Sequence, residues 1–402
     1  MHAAASTTGL ILTGGGARAA YQVGVLHAIH RIRREAGAPP GNPYPVLAGT
    51  SAGALNAAAL ATDADDADAG IAKLVRVWEN MHVAQVYRTD SFGVIRTGAK
   101  WLTMMSMGWA IARMRKLRPR SMLDNAPLHR LLAEMIDLDR IGHLVADGHL
   151  KALAVSASSY TSGTHVTFYQ SAAEHEPWIR SNRLAVQGEL TMAHLLASAA
   201  IPFMFPAVTL PLQGSYEWFG DGSMRQTAPI SPAIHLGADR ILVIGAGRMR
   251  EPAGPRIMGP SAYPSIAQIG GHALSSIFLD ALAVDAERLQ RINATLSLIP
   301  EEVRAQAALK PVRLLLISPS ERLDDIAARH LDALPSSIRA LLGGIGVSGG
   351  GPGSNGSALA SYLLFEQAYT RELMALGERD THARRGEVLD FFDLEPPGST
   401  NG

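Results

Sequence analysis

The sequence predicts a three-layer α/β/α fold, a mostly parallel sheet with helices on both faces, followed by a mainly helical C-terminal part. Three observations carry this expectation. Short apolar runs alternate with longer helical stretches, which is the pattern of βα units. Two of those runs end in small-residue loops, Gly14-Gly15-Gly16 and Gly49-Thr50-Ser51, each opening into a helical stretch. Hydrophobic residues make up 47% of the chain and charged residues 18%, enough apolar side chain to cover a sheet on both faces.

Residues 9–13 form the first expected strand and lead through the three glycines into a helix over about 19–34. Residues 43–50 form the second strand, with a small-residue helix over 52–62 packed close behind it. The acidic stretch 63–68 is a loop and 71–81 a helix. Residues 152–156 and 165–169 read as strands joined by a Ser-Gly turn, 195–200 closes a helix before Ile201-Pro202, and 240–245 is a further strand. Beyond about residue 250 the character changes. Residues 251–264, rich in Pro and Gly, read as a linker; 269–292 is a long helix with mixed charges, 312–318 a late strand and 359–376 another helix. The Gly-rich stretch 343–357 is a flexible loop. The expected division is a main α/β domain over 1–250 and a mainly helical extension over 251–402.

Composition removes several classes of function. Lys+Arg and Asp+Glu both number 36, so the formal net charge is zero, which is not the balance of a surface built for nucleic acid. There is no cysteine, which excludes disulfides, thiolate zinc sites, iron–sulfur clusters and a cysteine nucleophile. The N-terminus has neither the basic start nor the long apolar run of a secretory signal, and no apolar stretch reaches the ~18–20 residues that span a bilayer. The nearest, 101–114, is interrupted by Ser106 and Arg113. A cytoplasmic protein is therefore expected, with one route to a membrane surface. Over 100–120, two Trp and several Met stand beside Arg113, Arg115, Lys116 and Arg118, which suits an interfacial helix on anionic lipid as well as a core helix with a solvated basic end. The acidic run Asp63, Asp65, Asp66 and Asp68 lacks the Gly and distal Glu of a calcium loop and reads as solvated charge; no metal or cofactor is expected.

The most informative segment is 46–53, Val-Leu-Ala-Gly-Thr-Ser-Ala-Gly. A strand runs into G-x-S-x-G and small helix formers follow, the arrangement of a nucleophile elbow with Ser51 on a tight strand-to-helix turn. Gly49 and Gly53 suit that turn because a Cβ two residues either side of the serine would crowd it. The helix beginning at Ala52 aims its N-terminal dipole at the serine. Gly14-Gly15-Gly16-Ala17-Arg18 is a second strand-to-helix loop, in which successive N–H groups can face one concavity and hold an anion. Two chemistries use such a loop: an oxyanion hole for an intermediate formed at Ser51, or a dinucleotide loop of the form Gly14-x-Gly16-x-x-Ala19. The second needs an acid at the end of the second strand. Glu35 has about the right spacing but lies in the basic stretch Arg31-Ile32-Arg33-Arg34, while that strand ends in Gly49-Thr50-Ser51. A serine nucleophile also needs a base. The 14 histidines offer no preferred spacing, and His143, His235 and His330 stand in amphipathic or loop contexts. A carboxylate held within reach serves instead, which leaves Asp147-Gly148 and Asp221-Gly222 as candidates.

Taken as a set, residues 14–18, 49–53 and Asp221-Gly222, with the segment Ala197-Ser198-Ala199-Ala200-Ile201-Pro202-Phe203-Met204-Phe205-Pro206, resemble the patatin-like phospholipase family in order and type. The resemblance covers roughly residues 8–245 and makes 1–250 the catalytic domain; the later segments are similar to bacterial members with a C-terminal extension. It implies a Ser–Asp dyad, Ser51 as nucleophile and Asp221 rather than Asp147 as base, and an oxyanion hole from Gly14, Gly15 and Gly16 in the loop that continues through Ala17 and Arg18. The elbow residues are then Gly49, Thr50, Ala52 and Gly53, and the Asp-Gly motif continues into Ser223. Arg18 takes the family's basic position, where it orders the loop or holds an anionic substrate; a salt bridge at the helix start is the other reading. Two departures stand out: Ala19 where the family commonly has Gly, and Ser223 where it commonly has Gly or Ala. The implied reaction is hydrolysis of a fatty acyl ester through an acyl-enzyme. Acyl transfer, thioester hydrolysis, or lipid binding without turnover are the alternatives.

Overall fold

The computed structural model describes residues 6–89, 121–249 except 177, 263–347 except 305 and 308, and 356–396. The segment 100–120, nearly all of the expected linker 251–264 and the middle of the Gly-rich loop 343–357 lie outside the described residues. One sheet contains β1 (Thr8–Leu12), β2 (Val46–Thr50), β3 (Ala152–Ser159), β4 (His165–Ser171), β5 (Ile179–Arg180), β6 (Arg183–Gln187), β7 (Val208–Leu212), β8 (Ser215–Asp221), β9 (Arg240–Ile244) and β10 (Arg313–Ile317). Its order is β10-β9-β1-β2-β3-β4-β6-β5, with β8 also on β3 and β7 on β8. From β10 to β3 the neighbours are parallel; β4 and β8 both run antiparallel to β3.

The central strands are buried on both sides because successive side chains point to opposite faces. Leu10, Leu12 and Leu47 enter one core, Ile11, Val46 and Ala48 the other. β2 begins at Val46 rather than at the expected residue 43. Pro43 and Pro45 have no N–H to give a ladder, and the Pro45 carbonyl instead accepts from Lys151 N at 2.7 Å, which sets β3 beside β2.

The expected helices form, with informative shifts. The 3₁₀ turn Gly16–Ala19 leads into the helix Ala20–Glu35. The helix expected at 71 begins at Ala67, because the Asp66 side chain caps it by accepting from Ala69 N at 3.0 Å. The other acids of that run are paired: Asp63 with Lys73 at 2.5 Å, Asp65 with Arg140 at 2.8 Å and Asp68 with His30 at 2.5 Å. Among the described residues no group of acids and histidines is arranged to hold a metal ion. The single helix expected over 359–376 is two, Ser357–Leu363 and Gln367–Ala383. Between them Phe365 turns inward to stack beside Trp78, ring centroids 6.3 Å apart, and Glu366 accepts from Val83 N at 3.3 Å.

The C-terminal elements join the same packing. β10 extends the parallel edge at β9, and Gln367–Ala383 lies so close to Ala20–Glu35 that a Cβ on Gly24 would fall 2.0 Å from the Met374 carbonyl oxygen. Among the described residues one helix, Ile266–Ser297, is long and apolar enough by length and composition to cross a membrane; 28% of its most apolar stretch is buried, with Leu274, Phe278, Leu282 and Leu289 turned into the protein.

Candidate active site

β2 ends at Thr50, and Ser51 turns the chain with φ 55° and ψ −133°, a conformation costly for a residue that carries a side chain. The helix Ala52–Thr62 starts at the next residue. It folds back so tightly that a Cβ on Gly49 would fall 2.5 Å from Ala54 Cα, and one on Gly53 2.2 Å from the Leu12 carbonyl oxygen. Both glycines are therefore demanded by the packing of the elbow onto β1 and β2. Ser51 is 0% exposed, and its backbone N–H donates to Ser198 Oγ at 2.9 Å.

Asp221 ends β8 opposite Ala157 of β3, which carries it to the same edge of the sheet. Its N–H donates to the Ala200 carbonyl at 3.0 Å, and its Oδ1 accepts from Ser223 N at 2.9 Å. One short segment, 198–200, thus holds both Ser51 and Asp221. Gly222 has no room for a side chain: a Cβ would fall 2.2 Å from the Ser156 carbonyl oxygen. Asp221 is fully buried, and loss of solvation pushes its pKa up to about 6, against the hydroxyls of Ser51 and Ser223 and the Ser223 N–H, which favour the ionised form. Asp221 Oδ2 and the Ser51 and Ser223 hydroxyls are all buried without a well-formed hydrogen bond, so these polar groups lie together and unspent. The other titratable neighbours are Tyr160, whose hydroxyl is held in its neutral form by burial and by Asp221, and His165, which burial lowers to about 4 and which hydrogen-bonds the Gly222 backbone.

The remaining candidates lie elsewhere. Asp147 is exposed at the end of the helix Leu138–Ala146. His143 is exposed, His235 stacks on Trp178 at 4.7 Å, and His330 pairs with Glu372 at 2.5 Å. Glu35, the acid a dinucleotide site would require, is at the far end of its helix and pairs with Arg385 at 2.7 Å.

The loop after β1 brings Gly14, Gly15 and Gly16 beside this pair. Ser223 Oγ would lie 2.4 Å from a Cβ on Gly14, so the glycine loop and the Asp221 turn are in contact. Among the described residues the N–H groups of Gly14, Gly15 and Gly16 donate to no protein acceptor, whereas the Arg18 N–H is used by the Gly15 carbonyl at 3.1 Å. The Arg18 side chain points away from Ser51, into the C-terminal part, where it pairs with Asp324. Behind the loop, Gln22 donates to the Thr13 carbonyl at 2.8 Å, Asn56 donates to Gln22 at 3.2 Å, and Trp78 donates to Asn56 at 2.9 Å.

From Ser51 a narrow slot of about 40 Å³ runs between the elbow helix and the helix Ala126–Met135. Its walls include Gly16, Leu55, Met81, Leu128, Leu131, Met135, Ile201 and Phe365. Ser51 and Asn56 are the polar residues among them, and the Asn56 amide is committed to its buried bonds. Sequence reasoning had no access to Ser198 as the anchor of Ser51, to the Gln22–Asn56–Trp78 chain, or to Phe365 in the wall, because all three arise from long-range packing.

A strand–serine–helix elbow and a buried carboxyl at the carboxyl edge of a mostly parallel sheet, opening on an apolar slot, define an α/β protein of the lipid-hydrolase kind. The comparison with family models agrees: the one described as patatin-like phospholipase matches residues 10–234. That is more than half of the chain, and the chain belongs to the patatin-like phospholipase family. Among solved structures, it is similar to VipD from Legionella pneumophila, at 14% identity over 92% of this chain and 67% of that one, with a TM-score of 0.35. No curated protein matches its sequence.

Proposed function

We propose that the protein hydrolyses fatty acyl esters of lipids, with Ser51 as nucleophile, Asp221 as base and the N–H groups of Gly14, Gly15 and Gly16 as oxyanion hole. The observation that carries this reading is the burial of Ser51 and Asp221 beside each other, both anchored by the 198–200 segment, with Ser51 opening on an apolar slot. Asp221 takes the proton of the Ser51 hydroxyl as Oγ attacks the ester carbonyl. The Ser51–Asp221 hydrogen bond tightens around the reacting carbonyl. The oxyanion is received by the glycine N–H groups and the positive end of the elbow helix. The alcohol leaves with the proton held by Asp221, and a water deprotonated by the same carboxylate then releases the fatty acid.

The slot selects the acyl group. A volume of about 40 Å³ is on the scale of one or two water molecules, so a chain enters by displacing side chains. Met81 and Met135, unbranched and adaptable, are suited to that. The segment 100–120, outside the described residues, is read from its Trp, Met and basic side chains alone as a contact with anionic lipid. The test of the chemistry is labelling with a fluorophosphonate beside turnover of an acyl ester. Wild type labels and turns over, while Ser51→Ala and Asp221→Asn do neither. Unimpaired turnover in Ser51→Ala rejects the proposal.

A further inference from the structure

The glycine loop is walled by residues far beyond 234, where the family match ends. Gly16 has φ +55°, and a Cβ on it would fall 2.2 Å from the Tyr362 carbonyl oxygen; one on Gly14 would fall 2.8 Å from the Phe278 ring. Phe278 and Tyr362 stack with ring centroids 5.0 Å apart. Three residues on, Phe365 lines the slot beside Ser51.

Arg18 fastens the two parts together. It is 2% exposed. Its Nε donates to Ser361 Oγ at 2.8 Å, its terminal nitrogen donates to the Ala358 carbonyl at 3.3 Å and pairs with Asp324, and its guanidinium lies 3.9 Å from the centre of the Tyr362 ring. A buried guanidinium is costly unless its charge, fork and face are all engaged. Here all three are, and every side-chain partner lies between residues 324 and 362. Its charge is spent on Asp324 rather than on the Ser51 side of the loop. The backbone of Arg18, meanwhile, is part of the same 3₁₀ turn as Gly16.

We infer that Arg18 is a positioning residue: it locks the oxyanion loop against the 358–365 segment, so that the N–H groups of residues 14–16 are aimed before substrate arrives. The C-terminal segment is then a working wall of the active site. This rests on the hydrolase reading above. Preset donors contribute to rate only if they stay where the oxyanion forms, and a misplacement of about 1 Å costs on the order of 10²-fold.

Three variants separate aim from stability. Arg18→Lys keeps the charge beside Asp324 but loses the fork and the stacking face. Arg18→Met combined with Asp324→Asn removes the charge pair as a unit and strands neither partner. Ser361→Ala removes one contact and is the mildest. Each is measured for kcat and KM on a soluble acyl ester. Each is also measured for inhibition by a trifluoromethyl ketone of the same chain, which becomes an oxyanion when Ser51 adds to it, and by the corresponding alcohol, which does not. For Arg18→Lys and the double variant the expected result is a fall in kcat of about 10²-fold. KM stays within about twofold, ketone inhibition weakens in parallel and alcohol inhibition is unchanged; Ser361→Ala shifts the same way by less. Folded variants with wild-type kcat and ketone inhibition overturn the inference, however far their Tm falls. So does a rise in KM and weaker alcohol binding at constant kcat, which would make Arg18 a substrate contact. A wild type that neither labels nor turns over defeats the hydrolase reading itself, and this inference with it.

Discussion

Replacing Asp221 by Asn is expected to abolish turnover and, at neutral pH, to make the protein more stable. Burial holds the Asp221 pKa at about 6, against an ordinary value of 3.8. The folded state therefore prefers the neutral carboxyl. Below about pH 4 that preference costs nothing, because the group is protonated folded or unfolded. As pH rises through 6 the fold must carry a buried charge that the unfolded chain carries in water, and stability is lost across that window. About two pKa units at 1.36 kcal/mol each amount to roughly 3 kcal/mol. Asn has the same shape, keeps an oxygen to accept from Ser223 N, and never ionises. The stability difference between variant and wild type should thus widen by about 3 kcal/mol between pH 4 and 7.5. With an unfolding entropy of roughly 2.1 cal/mol/K per residue over the 402 residues, this is a Tm gap of about 4 °C. Urea and thermal melts of both proteins at several pH values measure it. Titration of the low-pKa groups His165 and His194 is common to both and leaves the difference. The same ionisation predicts that wild-type kcat/KM falls on the acid side with a midpoint near pH 6. A stability difference that is flat with pH would refute the argument, and the acid limb of activity would then belong to another group.

Two further outcomes test the slot and the basic segment 100–120. Leu131→Trp, at a half-buried wall position, should block long acyl chains while leaving short esters, raising KM for a long-chain substrate by about tenfold or more; equal effects on both lengths would remove the slot from acyl recognition. Reversing the charges at Arg113, Arg115, Lys116 and Arg118 should weaken binding to anionic vesicles, each charge being worth about 1 kcal/mol near the surface. Vesicle sedimentation that does not change would take 100–120 out of the membrane contact.

What was legible in the sequence was what local chemistry dictates. The turn at Ser51 is written in Gly49 and Gly53, because only glycine fits where β2 meets Ala54 of the elbow helix and where that helix meets Leu12. The parallel strands are written in continuous apolar runs such as Arg240–Ile244. The hairpin of β7 and β8 was not expected. Its alternation is diluted by Pro211 and by exposed Tyr216 and Trp218, and it forms because β8 finds an edge on β3. Asp221 and Asp147 look alike as Asp-Gly pairs, and only the sheet distinguishes them: one ends a strand against Ala157, the other ends a helix in solvent. The break at 364–366 likewise depends on Trp78 and Val83, nearly three hundred residues away.

Arg18 shows the same limit from the other side. Its position after three glycines suits an anion binder as well as a salt bridge, and no local feature chooses between them. The partners that choose, Asp324, Ala358, Ser361 and Tyr362, are more than three hundred residues distant. Because those partners also press on Gly16 and lead to Phe365 in the slot wall, the loop that carries the family's glycines depends for its shape on chain outside the matched residues. The 14–16 loop can then keep its residues through evolution or engineering and still lose its aim if the 358–365 segment is repacked. A chain cut at residue 250 would retain Ser51, Asp221 and all three glycines, yet it would remove the wall behind Gly16 and every side-chain partner of Arg18.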